Sequence, residues 1–169
     1  MSEKFRVPLI HIIRNPYDVV HSQQRVKFPW LLNLNYFREQ EELVQIIYSN
    51  FKFDLRKNSN LSELELLITR WCIENVIPIE ILGSYAHSAK VIKLEELRND
   101  MMQYVSLCNL FNLQPVENLS EIFSKPSTKT HPRSEIYGGG LGRKFSDTDF
   151  QKINRVLDIF QCELYPRIS

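Results

Sequence analysis

The chain reads as an α/β protein. Short uninterrupted apolar runs alternate with longer stretches of helical apolar spacing, and capping pairs mark where helices begin. Two runs carry the strand reading, residues 7–13 (VPLIHII) and residues 90–93 (KVIK). Ser62 with Glu65 and Ser146 with Asp149 have the spacing of a capping box, in which a hydroxyl and a carboxylate satisfy the first free amides of a helix.

Taken in order, residues 7–13 predict a buried strand. Asn15 is suited to cap the helix that follows, Pro16 fits its first position, and Asp18 sits in its first turn. Residues 28–35 (FPWLLNLN) predict an irregular apolar connection. Residues 36–49 have helical spacing, with Phe37, Leu43, Ile46 and Ile47 on one side. Residues 54–60 (DLRKNSN) form a polar loop. A long helix then starts at Ser62 and carries Leu66, Leu67, Trp71 and Ile73, and Pro78 is expected to bend or divide it.

The second strand leads through Glu95, Glu96 and Leu97 into a helix over about residues 100–111. A small helix is expected at residues 118–123, and a basic loop bearing proline and glycine at residues 125–145. The last helix follows Ser146 and places Phe150, Ile153, Leu157, Phe160 and Leu164 on one face. Helices separated by short parallel strands imply a layered fold. Two strands are few for a free-standing parallel sheet, so its partners come from another segment or from a larger domain.

Composition narrows the function. Hydrophobic residues make up 43% and charged residues 24% of the 169, which suits one domain, residues 1–169, with a real core. A net charge of +1 gives no global field for nucleic acid or an anionic membrane, so anion binding must come from local clusters. Charges interrupt every apolar stretch that approaches membrane-spanning length, and the first ten residues lack the uncharged core of a secretory signal. Cys72, Cys108 and Cys162 are scattered, which predicts buried free thiols, no zinc site and a reducing, cytoplasmic setting.

Two segments carry chemistry. In residues 14–22 (RNPYDVVHS), an arginine leaving a strand, a helix amino terminus and a serine two turns on make a candidate anion site. Arg14 supplies a forked donor and Ser22 a hydroxyl. Taken alone, the same segment also reads as an ordinary strand-to-helix junction with good capping. His21 is read as a packing or solvated side chain rather than a base. The second segment is residues 138–144 (GGGLGRK), which holds four of the five glycines. Glycine lets backbone amides approach an anion closely, and Arg143 and Lys144 add charge. Its spacing is not that of a Walker phosphate loop, and by itself it also reads as a surface loop.

The R-N-P-x-D-x-x-x-S pattern resembles the loop with which sulfotransferases hold the 3′-phosphate of 3′-phosphoadenosine 5′-phosphosulfate (PAPS). The G-R-K-F run before an acidic-capped helix is similar to the K-G-R-x-[YF]-P segment of heparan-type sulfotransferases. L-E-E-L at residues 94–97 stands where that family often has Y-E-D-L, and residues 107–113 (LCNLFNL) match a leucine-rich helix ending in F-L-G-L. The order holds over nearly the whole chain.

The resemblance implies a helix-rich part of a P-loop-like, three-layer sulfotransferase fold with a short parallel sheet. It implies PAPS as co-substrate, no metal, and a small-molecule or glycan acceptor of the sulfuryl group. Arg14, Ser22, Gly142, Arg143 and Lys144 would hold the nucleotide, with no catalytic residue identifiable. Residues 28–37 are candidate lining for the acceptor.

Three positions depart from the pattern: Leu94 for tyrosine, Leu141 for lysine and Asn112 for glycine. Trp71 is read as a core residue rather than an adenine platform, and Glu95 as structural. No P-K-[ST]-G-[ST]-[ST] run, the loop that cradles the 5′-phosphosulfate, occurs in the sequence. The expectation is therefore a domain lacking its amino-terminal strand–loop–helix and inactive by itself. The alternative is a sulfotransferase-like module that binds a nucleotide or a partner without catalysis.

Overall fold

The computed structural model describes residues 9–57, 60–82, 89–124 and 145–169. Two compact units share them, with the division falling between Arg14 and Asn15.

The first unit holds the sheet. Strands β1 (Leu9–Ile13) and β2 (Ala89–Lys93) pair in parallel, with Leu9 opposite Ala89 and Ile13 opposite Lys93. The parallel sheet expected from the two apolar runs is thus present, and the α/β class with it. Ile13 and Ile92 are buried, but β1 is not the buried strand its apolar run predicts: among the described residues only β2 flanks it, and Leu9, Ile10 and Ile12 are exposed.

Among its described residues this unit also has α5 (Leu94–Asn99), α6 (Met101–Leu110) and α7 (Leu119–Ser124). The sequence predicts one helix from about residue 100, but β2 runs straight into α5. Asp100 then leaves the helical conformation, and its carboxylate accepts from the Met102 amide at 2.9 Å to cap α6. A side chain that caps strongly restarts the helix rather than extending it. Helix α6 ends as the Leu113 amide donates to the Cys108 carbonyl at 2.7 Å and the Asn112 amide to the Asn109 carbonyl at 3.2 Å. Asn112 adopts φ 51°, the left-handed conformation this helix ending requires. Glycine meets that need at least cost, and asparagine is the usual substitute.

The second unit is helical: α1 (Pro16–Val26), α2 (Asn35–Arg38), α3 (Glu41–Phe51), α4 (Glu63–Leu82) and α8 (Asp147–Ile159). A 3-10 turn, Pro29–Leu32, lies within the apolar connection after α1. Helix α4 is the central element, and α1, α8 and the 3-10 turn pack against it. Pro78 lies inside α4 without dividing it. Phe160 is fully buried between Phe51 and Phe53, with ring centroids 5.2 and 5.4 Å away. Removing such a ring from water contributes about 1.5–3 kcal/mol. Trp71 is 3% exposed and meets the Tyr165 ring edge-on, as its core reading requires.

The single helix predicted over residues 36–49 is two. The chain breaks at Gln40, whose backbone is extended, because other donors take up the carbonyls at the end of α2. The Gln40 side chain donates to the Tyr36 carbonyl at 3.1 Å, and Arg56 Nε to the Arg38 carbonyl at 3.2 Å. In return, Arg38 Nε donates to the Leu55 carbonyl at 3.1 Å. The buried face of α3 is then Val44, Ile47 and Phe51, with Leu43 and Ile46 half-buried.

Capping follows the sequence closely. Ser146 and Asp149 form the complete reciprocal box at α8. At α4 the carboxylate of Glu65 accepts from both the amide and the hydroxyl of Ser62, at 2.9 and 2.6 Å, so the serine hydroxyl donates there. Helix α8 stops before Leu164: Gln161 turns left-handed, and the Cys162 amide donates back to the Leu157 carbonyl at 2.9 Å. Cys72, Cys108 and Cys162 are all free and buried, as their spacing predicts.

Candidate functional site

The strand–helix junction forms as its residues dictate. Asn15 caps α1 by accepting from the Tyr17 amide at 3.0 Å, Pro16 takes the first helical position, and Asp18 falls in the first turn. Helical spacing then sorts the side chains. Tyr17 and Val20 are fully buried. Asn15, Asp18 and Ser22, spaced by three and four residues, lie on the opposite side, with Ser22 exposed. Arg14, the residue after β1, is also exposed.

The helix is held in place by a part-buried polar network. The Tyr17 hydroxyl donates to Asn154 Oδ1 of α8 at 2.5 Å and accepts from the Ile168 amide at 3.1 Å. Asn154 Nδ2 donates to the Ile168 carbonyl at 2.8 Å, closing the ring of contacts. Burial pushes the Tyr17 phenol above its ordinary value, although the Ile168 amide acts the other way. The hydroxyl therefore serves as a neutral donor and acceptor.

An aromatic chain runs beside this network. The Tyr17 ring lies 5.9 Å from Phe150, Phe150 lies 5.6 Å from Phe145, and Phe145 meets His21 edge-on at 5.8 Å. His21 is half-buried and makes this ring contact, in keeping with the packing alternative of its sequence reading. Gly142, Arg143 and Lys144 lie outside the described residues, but Lys144 is joined by one peptide bond to Phe145. Phe145, the residue after that segment in the chain, meets α1 at His21, next to Ser22.

The sequence gives no warning of either arrangement. Tyr17 occupies the variable position of R-N-P-x-D, and Asn154 sits among the polar residues of α8. The one local hint is Phe145, an aromatic residue placed just before a strong helix cap.

Two shallow pockets are lined by described residues of this unit, and neither takes in Ser22. One, of about 580 Å³, is lined by Val44, Tyr48, Asp54, Arg56 and neighbouring residues. The other, of about 410 Å³, lies over Phe51, Phe53 and Val156 beside Lys52 and Arg155. Among the described residues, no group of three or more His, Cys, Asp and Glu side chains is placed to hold a metal ion. Among those residues, too, no helix is long and apolar enough to cross a membrane.

No family model, no curated protein and no solved structure matches the chain.

Proposed function

We propose that the segments Arg14–Ser22 and Gly142–Phe145 together bind the 3′-phosphate of an adenosine nucleotide, and that the chain supplies this part of a PAPS-dependent sulfotransferase of P-loop-like fold. The observation that carries the reading is the edge-on contact of His21 with Phe145. It sets Phe145, which follows the basic glycine segment in the chain, against the helix that bears Ser22, and these are the two segments on which the family resemblance rests. A second support is the left-handed backbone at Asn112, where the resembled pattern has glycine. The departure from the pattern is thus one the local geometry tolerates.

The donor set suits a phosphate dianion. Ser22 offers a hydroxyl, Arg143 and Lys144 offer fixed positive charge, and Gly142 lets the backbone approach closely. Arg14 enters through the sequence pattern, as the forked donor immediately before the Asn15 cap. Asn15 and Pro16 fix the start of the helix, and the Tyr17 network holds that helix in register, so Ser22 is presented without a large ordering cost on binding.

PAPS, when bound, supplies the sulfuryl group that passes to a hydroxyl or amine of a small-molecule or glycan acceptor. The chain's own residues hold and orient the nucleotide, and in transfers of this type positioning accounts for much of the rate.

Calorimetric titration with 3′-phosphoadenosine 5′-phosphate tests the reading. Wild-type chain should bind, and adenosine 5′-phosphate, which lacks the 3′-phosphate, should bind far more weakly. Arg14→Ala should lose on the order of 1.5–3 kcal/mol, the worth of one charge-assisted contact. Equal affinity in both chains would remove Arg14 from the site, and equal affinity for the two nucleotides would remove the 3′-phosphate from the proposal. Labelled PAPS should give no turnover with these 169 residues alone, because their sequence contains no P-K-[ST]-G run.

A further inference from the structure

We propose that the aromatic cluster formed by Phe28, Trp30, Tyr36 and Phe37 docks the chain on the surface of an anionic lipid bilayer. The cluster is continuous. Phe28 stacks on Trp30 with ring centroids 5.8 Å apart and planes at 16°, and Tyr36 meets Phe37 edge-on at 5.8 Å. The Arg70 guanidinium of α4 joins the two pairs, lying 5.4 Å from the ring centroids of both Trp30 and Phe37. Arg70 also donates to the Trp30 carbonyl at 3.2 Å and pairs with Glu74 at 2.9 Å, which clamps the 3-10 turn and α2 to α4. Held in this way, the rings face water: Phe28 is 49% exposed, Trp30 59% and Tyr36 73%. A contiguous exposed apolar group on a fixed backbone marks a contact surface.

Charge selects the occupant. From Val19 to Arg38 the sequence contains no Asp or Glu, although acids make up 20 of the 169 residues. The same stretch carries Arg25, Lys27 and Arg38, and Arg25 and Lys27 are exposed just ahead of Phe28. Glu74, the acid beside the cluster, is paired with Arg70 and so does not offset these cations. Cations next to exposed aromatic rings are complementary to anionic headgroups lying over an apolar layer. Trp and Tyr suit that boundary in particular, because each joins an apolar ring to a polar tip. None of the four rings lines either shallow pocket, so among the described residues they form an open surface suited to a broad partner. With so few cations the association is weak and sensitive to salt.

Co-sedimentation with vesicles and tryptophan emission read the outcome. Vesicles of phosphatidylcholine mixed with phosphatidylserine should pellet the chain, vesicles of phosphatidylcholine alone should pellet far less of it, and added salt should release it. Of the two tryptophans, Trp71 lies in the core, so a blue shift and quenching by brominated acyl chains report on Trp30. That measurement on the wild type needs no variant. Lys27→Gln, at an exposed position, should weaken partition about fivefold, the worth of one cation at such a surface. Trp30→Gln should abolish the shift and most of the binding. Both variants should keep the far-ultraviolet circular dichroism of the wild type. A chain that stays in the supernatant overturns the proposal. So does equal binding to neutral and anionic vesicles, or binding that survives Trp30→Gln. A pelleted wild-type chain whose emission is neither shifted nor quenched also overturns it, because another surface would then be in contact.

Discussion

Phe145 stands edge-on to His21, their ring centroids 5.8 Å apart and their planes at 87°. The same ring leans on Phe150 at 5.6 Å, so one half-buried aromatic touches both α1 and α8. Phe145→Ala should therefore act on two levels. Stability should fall by about 1–2 kcal/mol, less than for a fully buried ring, and thermal melting should drop by roughly 2–8 °C. Nucleotide affinity should fall as well on the proposed function, because Arg143 and Lys144 immediately precede Phe145 in the chain. Phe145→Leu, which keeps the apolar bulk, should recover most of the stability. Melting curves and calorimetric titration of the two variants check both statements. Loss of stability with unchanged affinity would separate the aromatic contact from binding.

The Tyr17 hydroxyl bridges Asn154 and the Ile168 amide in a part-buried setting. Tyr17→Phe deletes that bridge while keeping the ring against Phe150, and it strands an amide and a side-chain carbonyl. Leaving buried polar groups unsatisfied costs about 1–3 kcal/mol, more than the bridge itself contributes. Asn154→Ala should cost a similar amount. Since both variants break one network, the double variant should cost less than the two single losses combined, with a coupling of about 0.5–3 kcal/mol. Urea unfolding of the four chains in this cycle measures it. Simple additivity would mean that the two side chains act independently.

Glu65 is buried, and three opposing influences act on its carboxyl. Burial raises its pKa, but the Ser62 hydroxyl and amide and the Arg155 guanidinium outweigh burial and hold it below the ordinary glutamate value of 4.5. A carboxyl depressed in the folded state stabilises the fold above its unfolded pKa and loses that contribution as pH falls through the folded value. Stability should therefore decline as pH drops below about 4.5, and Glu65→Gln should flatten that part of the curve while lowering stability at neutral pH. Asp149, depressed by the Ser146 hydroxyl and amide that it caps, acts in the same direction. Denaturant melts at pH 3 to 7 test this. An unchanged acid limb in Glu65→Gln would assign the loss to other carboxyls.

What the sequence made legible follows from the range of the interactions involved. The two strands and the caps at Ser62, Asn15 and Ser146 are written in adjacent residues, because apolar runs and capping geometry act over a few positions, whereas the parallel pairing of the strands follows from the helices between them. The break at Gln40 is different. It depends on Arg56, which reaches the Arg38 carbonyl from 18 residues away, and no local pattern announces that donor. Tyr17 with Asn154 is harder still, since 137 residues separate them and each has a bland reading alone. For the candidate site, the residue types in Arg14–Ser22 were readable as anion-binding chemistry. The meeting of His21 with Phe145 was not, because a half-buried aromatic ahead of a cap is compatible with many partners.

The three cysteines give a prediction of a different kind. All are buried, and burial pushes the thiols of Cys72 and Cys162 above their ordinary value, Cys72 most strongly. The thiolate is the reactive form, so burial suppresses reaction twice, by blocking access and by disfavouring ionisation. Cys72 lies on α4 beside Trp71, and Cys162 closes the carboxy-terminal turn of α8, so neither becomes accessible without disturbing the core of that unit. In native buffer a disulfide reagent should therefore react slowly with all three, at a rate set by opening of the structure. In denaturant three thiols should titrate at once. Adding Tyr17→Phe should raise the rate at Cys162 more than at Cys108, because that variant weakens the unit in which Cys162 is buried. Mass spectrometry of the labelled peptides distinguishes the sites. Rapid labelling of Cys162 in the native wild type would mean that the last turn opens on its own, independently of the Tyr17 network.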